Sequence, residues 1–299
     1  MGRRNKVKLK RNDLFIGIYI LSAVLFFIIS IPSWLLDILL AFNIMVALVI
    51  LFNSLFAKEV LDMASFPTML LFTTIFRISL NVSSTKMILR DGYAGHVVSV
   101  FGQFVGGGNL VIGTIIFIVL IIVQFIVINK GSERVSEVTA RFTLDAMAGK
   151  QMAIDSDLNT GAITDKEAAE RRKKLQQENS FFGSMDGATK YVKGDATAGL
   201  IITAINLVGG IAMGMLYNGM SINDALSTYS ILTIGDGLCS QIPSLLISLS
   251  TGILVTKASS EGELGDEMVG QLFSMDRVLI MVGAALILLG VGTPLPFYI

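Results

Sequence analysis

Seven stretches of this chain are apolar almost without interruption, at residues 14–31, 35–56, 66–82, 110–128, 196–216, 231–256 and 278–291. A helix that crosses a bilayer needs roughly 20 mostly apolar residues. Runs of this length predict an all-α polytopic membrane protein with seven transmembrane helices. The composition agrees. Only 15% of residues are charged, against about 25% in a soluble globular chain, and the mean hydropathy is +0.71. Such a chain needs lipid around it. The first run follows Arg3, Arg4, Lys6, Lys8, Lys10 and Arg11, as in a signal peptide, but Ser30-Ile-Pro-Ser-Trp34 is no small-residue cleavage site. The first helix is therefore read as retained.

Charge and rare residues exclude several function classes. The formal net charge is +0, so no global field points to nucleic acid. Cys239 is the single cysteine and His96 the single histidine. No intrachain disulfide or cysteine metal cluster can be built from them, a multi-histidine site would have to be built around His96 alone, and no cofactor is expected. No G-x-x-x-x-G-K-[ST] motif occurs, and Gly106-Gly-Gly108 follows no strand, so nucleotide chemistry is not expected. The chain reads as a transport component rather than an enzyme.

Positive charge orients the helices. The basic tail, residues 1–13, is expected in the cytoplasm. Alternation then places 57–65 inside and 83–109 outside, where His96 is simply exposed. It places 130–195 inside, 217–230 outside and 257–277 inside. The 130–195 segment separates helices one to four (14–129) from helices five to seven (196–299). It carries eleven basic and eleven acidic residues. Its end from Thr164 predicts a short solvated helix, with Thr164 and Glu167 as a capping box. Glu167/Arg171 and Glu170/Lys174 would add i,i+4 support. The chain stops on an apolar beginning after Thr293, which suggests an eighth span and a piece of something longer.

The densest charge lies just past the fourth run. From Arg134 to Asp157 the chain places Arg134, Glu137, Arg141, Asp145, Lys150, Asp155 and Asp157 where membrane proteins usually carry a bland loop. Three further charges fall in or beside apolar runs. Arg77 sits within the third, at a cost of about 2.5–3.5 kcal/mol on insertion scales. It either snorkels to the outer end or forms a pore-side or inter-subunit ion pair. Asp236 heads a row at spacing four: Ser240, Ser244, Ser248, Gly252 and Thr256. This is either a packing seam with Asp236 as N-cap, or a hydrated strip opened where Pro243 unwinds the helix. Asp195 opens the fifth run beside Lys190 and Lys193, as an N-cap or as a proton-exchanging carboxylate. Asn206 and Gln124 read as interhelical glue, and Gly210-xxx-Gly214 as a packing motif.

The charged block resembles the signature of the FHIPEP family, the type III export-gate proteins of bacterial flagella and injectisomes. The resemblance rests on Arg134, Glu137, Ala140-Arg-Phe142, Leu144-Asp145, Gly149-Lys-Gln-Met152, Ile154-Asp155 and Asp157. Asn81-Val-Ser-Ser-Thr85, Met185-Asp-Gly-Ala188, Lys193-Gly-Asp195 and Ile234-Gly-Asp-Gly237 extend it along the chain. Ala148 departs from the family, which usually has Pro there, and should loosen a turn. Thr139 stands where a smaller residue is usual, and Lys86 replaces the more usual Arg. The resemblance implies eight spans in the bacterial inner membrane, within the flagellar basal body, and a large soluble C-terminal domain. It implies a nonameric ring of copies around other export-gate membrane proteins. It also implies contact with the export ATPase complex and with chaperone–substrate complexes through that domain. The implied work is coupling of proton or sodium motive force to export of unfolded subunits. Asp195, Lys190, Asp236 and Asp145 would serve the ion, and Arg134, Glu137, Arg141, Lys150, Asp155, Asp157 and Arg77 the surrounding charged network. The look of Asp157-Leu-Asn159 and Lys193-Gly-Asp195 favours the flagellar branch over the injectisome.

Two other classes compete. A small-solute secondary transporter would use Arg77 and Asp236 at the midplane, but no inverted repeat or pair of broken helices supports it. A purely structural ring scaffold would use the charges for assembly and conduct no ions.

Overall fold

A computed structural model describes residues 11–257 and 264–292. The basic tail through Lys10, part of the expected 257–277 connection and the closing stretch from Thr293 lie outside the described residues. Among the described residues every regular element is helical. The order is α1 (Arg11–Ile28), α2 (Ser33–Phe56), a single turn at Val60–Met63, α3 (Phe66–Asp91), α4 (Gly95–Gly106) and α5 (Leu110–Val123). A π-helical stretch (Gln124–Asn129) then leads into α6 (Lys130–Asn159), followed by α7 (Asp165–Leu216), α8 (Ile222–Thr256), α9 (Leu264–Phe273) and α10 (Asp276–Gly292). Five continuous helical segments are long and apolar enough to cross a membrane: Ser33–Phe56, Val60–Asp91, Leu110–Asn159, Asp165–Leu216 and Ile222–Thr256. A sixth, Ile16–Ile28, is shorter, and the last apolar run falls on the 17-residue α10.

The 83–109 segment, expected as a loop, is mostly helix. The polar run Asn81 to Lys86 suggests a connection, but its side chains find partners in neighbouring backbone. Ser83 Oγ donates to the carbonyl of Phe26 at 2.9 Å, and Lys86 Nζ donates to that of Phe27. The end of α3 thus satisfies the last carbonyls of α1, which would otherwise lack partners in a low-dielectric setting. α3 stops at Gly92, whose φ of 61° gives the left-handed turn that ends many helices. α4 then begins against Asp37 of α2, whose carboxylate accepts the N–H groups of His96 at 3.0 Å and Val97 at 2.9 Å. His96 is exposed, on this first helical turn rather than in a loop. α4 crosses α8 with backbone against backbone: a Cβ at Gly102 would overlap the Ile231 carbonyl, and one at Gly235 that of Val98.

The 130–195 segment is a helical hairpin, not a loop with one short helix. On α6 the buried Ala140, Met147 and Ile154 recur every seven residues, and on α7 so do Ala168, Leu175 and Phe182. Seven-residue spacing of apolar positions is the seam of a coiled coil. The turn uses Gly161 at φ 74°. The expected capping box is present: the Thr164 N–H donates to Glu167 Oε2 at 2.8 Å, and the Glu167 N–H to Thr164 Oγ1 at 3.3 Å. The backbone N–H and then the hydroxyl of Thr164 hold the Glu167 carboxyl below its ordinary value. Arg171 pairs across the hairpin with Asp157 at 3.2 Å and Lys174 with Glu59 at 2.7 Å, and Arg172–Asp155 and Lys150–Glu178 at 3.5 Å also join the two arms. Asp155 and Asp157 of α6 lie within reach of Arg172 and Arg171 of α7. Ala148 sits inside α6, so the looser turn expected there is absent. Alanine has the best helix propensity, whereas an interior proline costs about 3 kcal/mol.

The remaining chain packs into a bundle with two large apolar cores. One gathers Ile50, Phe66, Phe182, Met185, Ile247 and Leu254 beside the base of the hairpin. The other gathers Leu36, Phe76, Leu80, Val98, Tyr229 and Leu232. Gly210 and Gly214 of α7 pack on the Tyr229 ring, as the small-xxx-small spacing predicts. At the far end of α8, Lys257 is 2% exposed and donates to the carbonyls of Leu55 and Ala57. It thereby caps the C-terminus of α2, where a cation also suits the helix dipole.

Candidate functional site

α3 and α7 lie side by side, and their contact carries two buried opposite charges. Arg77 is 1% exposed and Asp195 is 5% exposed. Arg77 Nε donates to Asp195 Oδ2 at 2.7 Å, and Nη2 donates to the same oxygen. Arg77 is therefore neither a snorkelling cation nor a partner for another subunit: its partner is 118 residues along its own chain. Asp195 is not an N-cap. The fifth apolar run is the second part of a 52-residue helix, so no helix begins at Asp195 and its carboxylate is free to face α3. Removing one partner from such a buried pair leaves a charge without compensation, at about 3–5 kcal/mol.

The pair lines a small cavity between α3, α7, α8 and the α5–α6 junction. Its wall is polar for a membrane interior, with Asn81, Gln124, Asn129, Thr203, Gln241 and Ser244. Arg77 Nη1 and Ser244 Oγ, both buried, have no hydrogen-bond partner in the protein. The π-helical stretch shapes this wall. Five residues of ordinary α-helix place two side chains about 140° apart, from 3.6 residues per turn. The wider turn at Gln124–Asn129 lets both end residues face the cavity. Gln124 Nε2 also donates to the Gln241 carbonyl at 3.0 Å, as interhelical glue should.

Asp236 lies one helical turn beyond Ser240, in the middle of α8. It is no N-cap, since α8 starts at Ile222 with Ser221 as its cap. It is 4% exposed and accepts a 2.8 Å hydrogen bond from Asn206 Nδ2 of α7. Among the described residues no cation pairs with it. The spacing-four row on α8 is a polar seam. Ser248 Oγ donates to Asn129 Oδ1 at 2.9 Å, and Ser132 Oγ donates to the Ser248 carbonyl at 2.6 Å. α8 remains helical through Pro243, so the unwinding expected there does not occur.

The charges outside the bundle are held separately. Lys190 does not contact Asp195: its Nζ pairs with Asp186 at 2.7 Å, and this carboxylate raises the lysine's pKa. Lys193 pairs with Glu133 of α6 at 2.8 Å. Arg134 pairs with Glu137 on its own helix at 3.1 Å. Arg141 and Asp145 are exposed on α6 and make no ion pair among the described residues. Sequence reasoning missed Glu133, Ser132, Asn129 and Gln241. Glu133 stands one residue before the charged block, and its spacing to Lys193 has no sequence signature.

Helices long enough to span, polar side chains buried between them and an intrabundle Arg–Asp pair define a polytopic membrane protein with a charged interior site. The chain belongs to the FHIPEP family, matching it over residues 23–299. It is 54% identical over 283 residues to the flagellar biosynthesis protein FlhA of Bacillus subtilis (strain 168), covering 95% of this chain and 42% of that protein. It is 50% identical over 284 residues to FlhA of Salmonella typhimurium, covering 93% of this chain and 41% of that protein. It is 47% identical over 283 residues to the low calcium response locus protein D of Yersinia pestis, covering 94% and 40%. The chain spans about two fifths of the length of these curated relatives. No solved structure matches it.

Proposed function

We propose that this chain is the transmembrane portion of a flagellar export gate that couples ion flow to the export of unfolded flagellar subunits. The observation that carries the coupling is the buried Arg77–Asp195 pair on the wall of a polar cavity. Each charge moved through the membrane potential supplies about 2.3 kcal/mol per 100 mV. A cation or proton arriving at Asp195 competes with Arg77 for one carboxylate oxygen. Its arrival weakens the α3–α7 contact and its departure restores it.

α7 carries that change outward. It is a single helix from the hairpin tip through Asp195. About 30 residues separate the two, or roughly 45 Å at 1.5 Å per residue. Cross-hairpin pairs tie that lever to the charged block of α6. Arg134, Arg141 and Asp145 then act as the sensing network on the outer face of α6, and Lys190 and Asp236 as further ion-coupling groups. Full activity takes a ring of copies, other export-gate membrane proteins, and the export ATPase complex and chaperone–substrate complexes engaged through a C-terminal domain. The setting is the bacterial inner membrane, within the flagellar basal body and with the N-terminus in the cytoplasm. The names of the Bacillus and Salmonella relatives favour the flagellar branch, and the Yersinia relative supports the injectisome as a second reading.

Replacing Asp195 by Asn in the full-length protein tests the coupling. Export of flagellar subunits should stop while the protein stays in the membrane and cross-links to its neighbours. Near-normal secretion from that variant defeats the proposal.

A further inference from the structure

Three cavities follow one another along the seam between α7, α8 and the α5–α6 unit. The outermost, a small one, has Glu133, Ser132, Lys193 and Thr251 in its wall, at the base of the hairpin. It shares Asn129 with the cavity that holds Arg77 and Asp195. That cavity in turn shares Ile121, Leu200 and Thr203 with a third, larger one. The lining changes along the way. The outermost has one apolar residue, Val192, whereas most of the third is walled by Phe117, Ile118, Ile121, Leu200, Leu207 and Ile234, with the hydroxyls of Thr114, Thr203, Ser230 and Thr233 among them.

We infer that this seam is a one-sided ion pathway, wet from the hairpin side as far as Asp195 and closed beyond it by an apolar section. This deepens the coupling function proposed above and rests on it. Polar cavities take up water that bonds to otherwise unpaired groups, and apolar ones stay dry. The unpartnered Arg77 Nη1 and Ser244 Oγ stand on the wet side of that boundary, and a single hydroxyl, Thr233 Oγ1, is left unpartnered in the lining of the apolar section. Ser132, Asn129 and Ser248, already linked by hydrogen bonds, form the wall that joins the outer cavity to the inner one. Glu133 and Lys193 form the portal. Their pair ties α6 to α7 at 2.8 Å, with side chains 21% and 49% exposed. It closes the seam when formed and presents a carboxylate to an entering cation when broken. An apolar constriction blocks ions by excluding water, so an ion reaching Asp195 goes no further until α5 and α7 separate.

Cysteine accessibility tests this in the full-length protein, in cells and in inverted membrane vesicles, with Cys239→Ser and any other native cysteines replaced. The probe is a charged, membrane-impermeant methanethiosulfonate reagent, and modification rates are read by mass shift. Ser240→Cys and Ser244→Cys report on the inner cavity, and Ala204→Cys reports on the apolar section. The first two should react from one membrane face only. Ala204→Cys should react at least about tenfold more slowly, because a charged reagent enters an apolar cavity only at high cost. Glu133→Ala and Lys193→Ala should each speed the inner-cavity reaction about two- to fivefold, the range set by a part-exposed ion pair. Equal rates at all three positions, reaction of the inner positions from both faces, or no response to either portal variant overturns the inference. The labelling needs no export. A failed pathway with Asp195→Asn still inactive removes the path alone, whereas normal export from Asp195→Asn removes the coupling.

Discussion

Breaking the Arg77–Asp195 pair from either side should cost the fold far more than breaking any pair on the hairpin. Both partners are buried, and two guanidinium nitrogens converge on one carboxylate oxygen. Truncating one partner of a buried pair costs about 3–5 kcal/mol, because the other charge stays behind in a low dielectric. The exposed hairpin pairs are each worth about 0.2–1 kcal/mol. The two single variants should also differ. An orphaned Asp195 can take up a proton, but an orphaned guanidinium cannot lose one. Asp195→Leu should therefore destabilise more than Arg77→Met. The double variant Arg77→Met/Asp195→Leu removes both charges and should return to within about 1 kcal/mol of the parent, since apolar replacement of a buried pair is often neutral. The assay is reversible unfolding in detergent or bilayer discs across the full double-mutant cycle, with export measured in parallel. Stability should recover in the double variant while export stays abolished. Single variants that each cost less than about 1 kcal/mol, or a coupling below about 0.5 kcal/mol, would refute a desolvated pair.

Two further outcomes test the packing and the hairpin. Gly235→Val places a side chain against the Val98 carbonyl and should destabilise by about 1–3 kcal/mol or more. Gly187→Ala, exposed and with open space around it, should be neutral or stabilising by up to about 1 kcal/mol; the same unfolding assay compares them. At the hairpin tip, the depressed Glu167 carboxyl means that the folded state binds fewer protons than the unfolded one. Its contribution is present above the ordinary carboxyl value and is lost as pH falls through the folded one. Protection of the amides around Ala168, taken relative to their intrinsic exchange rate, should fall over that acidic range, and Glu167→Gln should remove this loss.

Helix type and the capping box at Thr164 could be read directly from the residues. Apolar run length and N-cap chemistry are local, and lipid leaves the backbone little choice but helix. The heptad of Ala140, Met147 and Ile154 was also legible, though charge density on the same stretch concealed it. Where a polar stretch would end its helix was not legible. Ser83 and Lys86 continue α3 because the carbonyls of Phe26 and Phe27 wait in another helix, and no local signal reveals a partner nearly sixty residues away.

The sequence by itself determined that this is a helical membrane protein of the FHIPEP family with an unusual load of charge beside its apolar runs. It identified Arg77, Asp195 and Asp236 as charges that had to be satisfied, because hydrocarbon tolerates none unpaired. Only the tertiary structure decided how. It joined Arg77 to Asp195 and left Lys190 at the surface. It gave Asp236 an amide in place of a cation, and it lined up Asn129, Ser132 and Ser248 at a seam of three helices. Pairing in the interior depends on which helix faces meet. That is set by the summed packing of the whole bundle, and a carboxylate bonds whichever donor that packing brings within about 3 Å.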